Sequence, residues 1–507
     1  MTLFQTRRIV LATLVLGAFR SHPVSAHLPD NSFGRKQCSP EDFGAIGNGI
    51  ANDSVALKTA LQTGCARLNN DKIYNLGSSD ITISKSLVLE IGKGAKLING
   101  RLQLKPVDAQ KQIEIIGDLI MENGSVRVSG GADPAWADPL KADGAALTVT
   151  CRKISVTGSY PGGRAAIELW KMRDSKVGSL VVRGDGAGSD ICAVQLTDVY
   201  DSEVGLIDVD GGYSMGVEFD HSSDTRAAYS LVRSKVGSVR VRKPAAFADV
   251  SGDHGVYLHG AYQSEIGLVQ ALGWGDGIAS SADFKFRDNK DCKIGKVSVG
   301  RFRITADNNY RHFTMYNERN TIDEVRCSKG LTMVVNKGGR CKDIVLKNVT
   351  APVTSIDSNQ DYPRGIVFSG TCILGGSKGV ITTSALAFEQ AKITFVDAVL
   401  EGKRFFATDV EFTNSVRMTP KADSETRMHN VRVNGSLDHD AITAASMHTI
   451  DYRNVNVTGE IKVNSFGKRV IKANWKDVSS GAPEPSIARR PNNKIYSKVK
   501  FSNVFYD

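Results

Sequence analysis

The sequence predicts an all-β fold, a parallel β-helix solenoid with a short N-terminal capping helix. Three observations predict it. A four-residue phrase recurs as Ser175-Lys176-Val177-Gly178, Ser202-Glu203-Val204-Gly205, Ser234-Lys235-Val236-Gly237, Ser264-Glu265-Ile266-Gly267 and Cys292-Lys293-Ile294-Gly295. A weaker copy, Asn320-Thr321-Ile322-Asp323, follows one period later. The starts are spaced so evenly that they mean stacked units, each burying its apolar face on its neighbours. Before each phrase lies an alternating run: Ile167-Glu168-Leu169, Val194-Gln195-Leu196, Val217-Glu218-Phe219, Val256-Tyr257-Leu258, Phe284-Lys285-Phe286 and Phe313-Thr314-Met315. Period-2 alternation marks strands with one buried face. Towards the C-terminus Asp409-Val410, Asn430-Val431, Asn454-Val455, Asp477-Val478 and Asn503-Val504 continue the stack at shorter, still regular steps. Each Asn or Asp is expected at a corner, where its side chain can bond backbone groups. A leucine-rich horseshoe has shorter, Leu/Asn-patterned repeats.

The 507 residues would ordinarily suggest several domains, but the repeat reads as one solenoid over 71–507. Residues 1–26 read as a secretory signal: Arg7 and Arg8 start it, Ile9–Phe19 is apolar, and Val24-Ser25-Ala26 is a small-residue cleavage site. Neither this stretch nor any later one is long enough to span a bilayer, so a secreted or periplasmic chain without a membrane span is expected. Eight cysteines suit an oxidising compartment, and local pairing offers Cys38 with Cys65 and Cys327 with Cys341. Cys192 and Cys292 sit at positions that are small or apolar in other coils. No CxxC spacing points to zinc. The net charge is +10, and losing the three arginines of the signal leaves about +7. This balance favours an acidic polysaccharide partner over nucleic acid, for which aromatic-basic interleaving is missing. Monomer and trimer both fit the pattern.

Residues 27–70 read as a cap. Asp42-Phe43-Gly44-Ala45-Ile46-Gly47-Asn48-Gly49-Ile50-Ala51-Asn52-Asp53-Ser54 forms a Gly-rich turn feeding an amphipathic helix, capped by Asn52 or Asp53. Val55, Ala56, Ala60 and Leu61 are expected to face the first coil. This phrase resembles the N-terminal signature of the pectate-lyase-like right-handed β-helix superfamily, where an Asp-Phe-Gly-Ala turn leads to a capping helix. Lys72-Ile73-Tyr74 and Leu87–Leu97 are similar to that superfamily's first coils. The resemblance implies a right-handed helix. It does not single out an activity, because such proteins include lyases, hydrolases, epimerases and depolymerases.

If Val/Ile and Leu/Phe point inward, the alternate residues form an outward column. It contains Glu168 and Trp170, Gln195 and Thr197, Glu218 and Asp220, Tyr257 and His259, Lys285 and Arg287, then Thr314 and Tyr316. Coils lie about 4.8 Å apart and i, i+2 positions about 6.6 Å apart, so Glu218, Asp220, Tyr257, His259, Lys285 and Arg287 share one patch. Asp253 flanks it. Charge ladders are ordinary on a wet sheet face, but this mixture of residue types over three coils is not. Uronate elimination needs a base for the proton alpha to the carboxylate, an acid for the leaving oxygen, and cations for the developing charge. Tyr257 and His259 are the expected base and acid, and Arg287 and Lys285 the cations. Trp170, Glu168, Asp253 and Tyr316 are the expected substrate contacts. Glu218 and Asp220 orient the site, or serve an inverting hydrolase, for which two carboxyls about 6.5–9.5 Å apart are needed. An epimerase or a non-catalytic polysaccharide-binding helix uses the same face. No metal is required by this scheme. Ca2+ is the cofactor alternative, through Asp208 and Asp210. His221 and His254, as inward or corner residues, and the Trp274-Gly275-Asp276-Gly277 loop, which offers a wall for the groove or ordinary turn chemistry, rank behind these.

Overall fold

The computed structural model describes residues 37–130, 147–159, 165–185, 192–220, 229–245, 253–274, 282–306, 317–335, 339–358, 366–376, 380–396, 399–442, 447–465, 470–480, 486–488 and 496–506. The expected signal segment lies outside them. Strands dominate, and 33 of those described join one continuous sheet.

The chain winds through three parallel ladders. The first joins Thr148–Thr157, Lys176–Asp185, Glu203–Gly212, Lys235–Arg242, Glu265–Leu272 and the start of Lys293–Ala306. The second joins Ala165–Arg173, Cys192–Tyr200, Met215–Asp220, His254–His259, Ala282–Arg287 and the end of Lys293–Ala306. A short third ladder carries Val199–Tyr200, Leu231–Val232 and Ala261–Tyr262. Parallel stacking with every return made through the other faces is the parallel β-helix that the repeat predicts.

The repeat phrase explains its own recurrence. Its Val or Ile is at most 2% exposed in each coil from Val177 to Ile322 and forms an apolar column. Opposite charges stand in register along the ladder, Lys176 beside Glu203, Glu203 beside Lys235, Lys235 beside Glu265 and Glu265 beside Lys293. The serines form a second column. Ser175 N donates to Ser202 Oγ at 3.0 Å, and Ser202 N and Ser234 N donate to the hydroxyls of the next coils at 3.2 Å. Those bonds occupy backbone donors that the corner takes out of the sheet, where Asp174, Asp201, Arg233 and Gln263 all have left-handed φ of 48–49°. The phrase's glycine has a steric cause. A Cβ on Gly205, Gly237, Gly267 or Gly295 would stand well inside contact distance of the preceding glycine's carbonyl oxygen. Gly237→Ala is therefore expected to destabilise by about 1–3 kcal/mol, the range for overpacking. Denaturant unfolding checks this, and an unchanged midpoint contradicts it.

The C-terminal corners follow the expected positions. Val410, Val431, Val455, Val478 and Val504 pair in register, and Asp409, Asn430, Asn454 and Asp477 before them have φ of 51–56°. Asn and Asp tolerate this conformation best among residues with a Cβ. Side chains in this column bond one another: Asn430 Nδ2 donates to Asp409 Oδ1 and Asn454 Nδ2 to Asn430 Oδ1, both at 2.9 Å.

The cap is tied down by two acids. Asp42 Oδ2 accepts from Ser39 N at 2.8 Å across the Pro40–Phe43 turn, which Gly44 ends at φ 93°. Buried Asp53 accepts from Ile46 N at 2.8 Å and from Asn75 N at 3.3 Å, joining the turn to the first coils. The helix Ser54–Leu61 buries Ala56, Leu57, Ala60 and Leu61, whereas Val55 is 78% exposed. Leu57, not Val55, completes the buried face with Ala56, Ala60 and Leu61. Asn48–Asn52 is a strand, and Cys65–Leu68 already pairs with Leu87–Ile91, so the sheet begins inside the range expected for the cap.

Three further expectations are corrected. Phe302-Arg303-Ile304, not Phe313-Thr314-Met315, follows Phe284-Lys285-Phe286 on the second ladder. Lys293–Ala306 runs through both faces without a long loop between them, so this coil reaches the second face early; residues 307–316 lie outside those described. Cys327 pairs with Val299 and Cys341 with Asn317 on separate ladders, and both remain thiols. Burial pushes the Cys327 thiol up to about 12. Trp274 is buried, donating from Nε1 to Tyr213 O at 3.3 Å, rather than lining a groove. Cys192 and Cys292 are buried thiols. No helix among the described residues is long and apolar enough to cross a membrane.

Candidate functional site on the second ladder

The outward column assembles in the expected register. Arg127, Glu168, Gln195, Glu218, Tyr257, Lys285 and Arg303 are successive neighbours. Two residues along each strand, Trp170 pairs with Thr197 and Thr197 with Asp220, while His259 pairs with Arg287 and Arg287 with Thr305. Arg303 and Thr305 occupy the places expected of Thr314 and Tyr316. Tyr316 lies outside the described residues. The inner neighbours Val217, Phe219, Val256, Leu258, Phe284 and Phe286 are at most 1% exposed, which fixes the alternation.

One cluster centres on a residue that sequence reasoning ranks behind the others. His254 is 2% exposed, with Nδ1 3.2 Å from Asp253 Oδ2 and Nε2 3.4 Å from Glu218 Oε1. Glu218 Oε2 accepts from Gln195 Nε2 at 3.2 Å, and Asp253 Oδ1 accepts from Lys285 Nζ at 2.5 Å. The run is Gln195, Glu218, His254, Asp253, Lys285, with acid and base alternating from Glu218 onward. Burial pushes the His254 imidazole down, but the contacts to Asp253 and Glu218 outweigh it and raise its pKa above 6.5. Burial likewise pushes the Asp253 carboxyl up, but His254 and Lys285 hold it well below the usual carboxylate range. Lys285 is lowered, because burial exceeds the support from Asp253.

A stability prediction follows from His254. Its folded-state pKa is raised, so its contribution is complete below about 6.5 and is lost as pH rises through the raised value. Melting temperature against pH is expected to fall above 6.5 in the wild type and to flatten there in His254→Gln. An equal slope in both contradicts the pairing.

The second cluster is a closed circuit. Asp220 Oδ1 lies 3.0 Å from His259 Nδ1, and His259 Nε2 lies 3.9 Å from Asp288 Oδ2. Arg287 Nε donates to Asp288 Oδ2 at 3.3 Å, and Arg287 Nη1 donates to Tyr257 Oη at 3.1 Å. The Tyr257 ring stacks on His259 at 5.2 Å and 18°. It also lies 4.9 Å from His254, so the tyrosine stands between the two histidines. His259 is 0% exposed and Tyr257 is partly exposed. His259 is outward by alternation, but the Tyr257 ring and the corner residue Asp288 enclose it. Asp288, itself 1% exposed, is a further residue missed in the sequence, where an Asp after a strand reads as turn chemistry.

The upper column is more crowded than expected. Glu168 is buried beside Arg127, whose Nε is 3.3 Å away. The Trp170 ring is engaged by Arg127 at 4.8 Å and by Lys171 Nζ at 5.0 Å. Trp170 is therefore a cation-stacked ring. Asp208 and Asp210 belong to the first ladder, where Asp208 pairs with Arg183 and Asp210 with Arg242. They are removed from the Tyr257 patch and already neutralised. Among the described residues no group of three His, Cys, Asp or Glu is arranged to hold a metal ion. His221 lies outside the described residues.

Chemically, the patch offers a partly exposed phenol with a guanidinium at its oxygen and a half-buried lysine alongside. Both candidate hydrolytic carboxyls, Glu218 and Asp220, are engaged by imidazoles. No protein-family profile matches the chain, and no curated protein matches it. Among solved structures, two of the surface adhesin PfbA of Streptococcus pneumoniae are similar, at TM-scores of 0.30 and 0.25 and 11% identity, covering 89% and 92% of this chain and 95% and 100% of theirs. A family 28 exopolygalacturonase of Yersinia enterocolitica has a TM-score of 0.16 and 11% identity over 92% of this chain and 78% of that one. Likeness at these scores carries no argument about the site; its chemistry rests on the residues themselves.

Proposed function

We propose that this chain is an exported polysaccharide lyase that cleaves a uronate-containing polymer by β-elimination on the second ladder. The observation that supports it is the Arg287–Tyr257 pair, 3.1 Å apart and stacked on buried His259, with Lys285 on the adjacent strand. Tyr257 acts as the phenolate and takes the proton alpha to the uronate carboxylate, becoming the neutral phenol. Arg287 places a cation beside that oxygen and so favours the phenolate before the step. Lys285 and Arg303 offset the charge gathering on the uronate. The phenol returns its proton to the leaving glycosidic oxygen, so one residue serves as base and then acid when both groups lie on one face of the sugar. Glu218 and Asp220 hold the two histidines. In this scheme the chain is a right-handed member of the pectate-lyase-like superfamily, supported by the Asp42–Gly44 turn and the helix it feeds. Its leader is removed after Ala26, and its basic charge gathers acidic polymer.

The steps run through side-chain cations, so chelator treatment is expected to leave the rate unchanged. Loss on chelation with recovery on adding Ca2+ contradicts that. The function itself is tested by incubating mature protein with acidic polysaccharides and following both reducing ends and the ultraviolet absorbance of unsaturated uronate. Both rise for a lyase. Reducing ends alone assign hydrolysis, with Glu218, Asp220 and Asp253 as the residues to mutate. Absence of both signals removes the cleavage reading.

A further inference from the structure

The ammonium that elimination gives to the uronate already holds a carboxylate of the chain itself. Asp253 Oδ1 accepts from Lys285 Nζ at 2.5 Å. The two side chains differ in depth, Asp253 being 45% exposed and Lys285 13%, so the carboxylate is the outer member of the pair. Asp253 stands at the head of the His254–His259 strand and is pinned there by its backbone. Asp253 N donates to Ser214 O, and Ala282 N donates to Asp253 O, both at 3.2 Å. The side chain can turn without moving that backbone. Arg303, next after Lys285 on the column, feels the same carboxylate: burial pushes its guanidinium down and Asp253 pushes it up. One carboxylate thus answers both cations assigned to the uronate.

We propose that Asp253 is a resident competitor for the uronate carboxylate, which the substrate displaces from Lys285, so that the face admits anionic sugars and refuses neutral ones. This rests on the uronate seat of the elimination reading, though not on elimination itself. The exchange replaces one carboxylate by another, so Lys285 keeps a counter-charge throughout. The released Asp253, nearly half exposed, turns to water. Both carboxylates on one ammonium would be like charges within a few ångströms, so the two exclude each other. A neutral sugar has no charge to exchange. It leaves Asp253 in place, or strands a largely buried ammonium without a partner. Asp253 therefore selects for charge and lowers the affinity for uronate in doing so.

The test is calorimetric binding at about pH 6, where a sugar carboxyl is ionised. It uses the Tyr257→Phe protein to prevent turnover, with Asp253 and with Asp253→Asn. The amide keeps the shape of the side chain and removes its charge. The probes are short oligomers of galacturonate, glucuronate and mannuronate, each beside the same oligomer with its carboxyls reduced to alcohols. At least one uronate oligomer is expected to bind about ten-fold more tightly to Asp253→Asn, the order of one charge-assisted contact. Its reduced counterpart is expected to bind both proteins alike. Unchanged uronate binding overturns the competition, and weaker binding does so by making Asp253 a substrate contact. Equal tightening of the reduced oligomer makes Asp253 a steric obstacle and overturns charge as the cause. Absence of uronate binding to either protein removes the seat and this inference with it. Melting temperatures show whether the proteins are folded, and Asp253→Ser repeats the comparison if the amide does not fold. Elimination is followed separately with Tyr257 in place. Tightening without elimination ends the lyase reading alone, and elimination without tightening ends this inference alone.

Discussion

Tyr257→Phe is expected to lose about 10²–10⁴ in kcat while remaining folded. The substitution keeps the ring, so the stack on His259 at 5.2 Å and the contact with His254 at 4.9 Å survive. It removes the hydroxyl that Arg287 Nη1 meets at 3.1 Å, a charge-assisted bond whose loss costs about 1.5–3 kcal/mol. A β-helix with a continuous apolar column through every coil absorbs that without unfolding. Initial rates with melting temperature check both parts. A variant that folds and turns over normally shows that the phenol handles no proton.

Arg287→Ala is expected to damage both activity and stability, and the two effects can be separated. Arg287 is the cation at the Tyr257 oxygen, and removing such a group costs about 10²–10³ in kcat. It is also the 3.3 Å partner of Asp288, which is 1% exposed and has His259 at 3.9 Å on its other side. Removing one member of a buried pair costs about 3–5 kcal/mol, because the remaining carboxylate loses its guanidinium. Replacing Asp288 by Asn in the same chain removes that buried charge. The double variant Arg287→Ala/Asp288→Asn is expected to recover most of the stability and none of the activity. Denaturant midpoints and rates of the three proteins decide it. A stable single variant would mean that Asp288 does not depend on Arg287, and an active double variant would mean that the guanidinium has no part in turnover.

The fold is legible because its determinants are periodic. Val177, Val204, Val236, Ile266 and Ile294 recur at a fixed offset from a corner residue and a close-packed glycine, and each marks the same point of a coil. The outward column is legible for the same reason, as Glu168, Gln195, Glu218, Tyr257 and Lys285 each follow a buried Val, Ile or Phe. Legibility fails where the period breaks. Phe302 follows Phe284 well short of the usual step, so its alternating run falls off the spacing and a later run fits it better. It fails again where a role depends on residues far apart in the chain. His254 has the parity of a core position, and only Glu218, one coil earlier, makes it part of the site. His259 has the parity of a surface position, and only Asp288 and the Tyr257 ring reveal that it is enclosed. Alternation states which way a side chain starts, not what closes over it.

The central claim is that cleavage proceeds by proton abstraction at Tyr257 and not by attack of water. Proton NMR of the products from the most rapidly cleaved uronate polymer tests it most directly. The account predicts a vinyl proton on the new non-reducing end, with the proton alpha to the carboxylate gone, and no such product from Tyr257→Phe. Saturated ends bearing a hydroxyl at the cleaved position would contradict it.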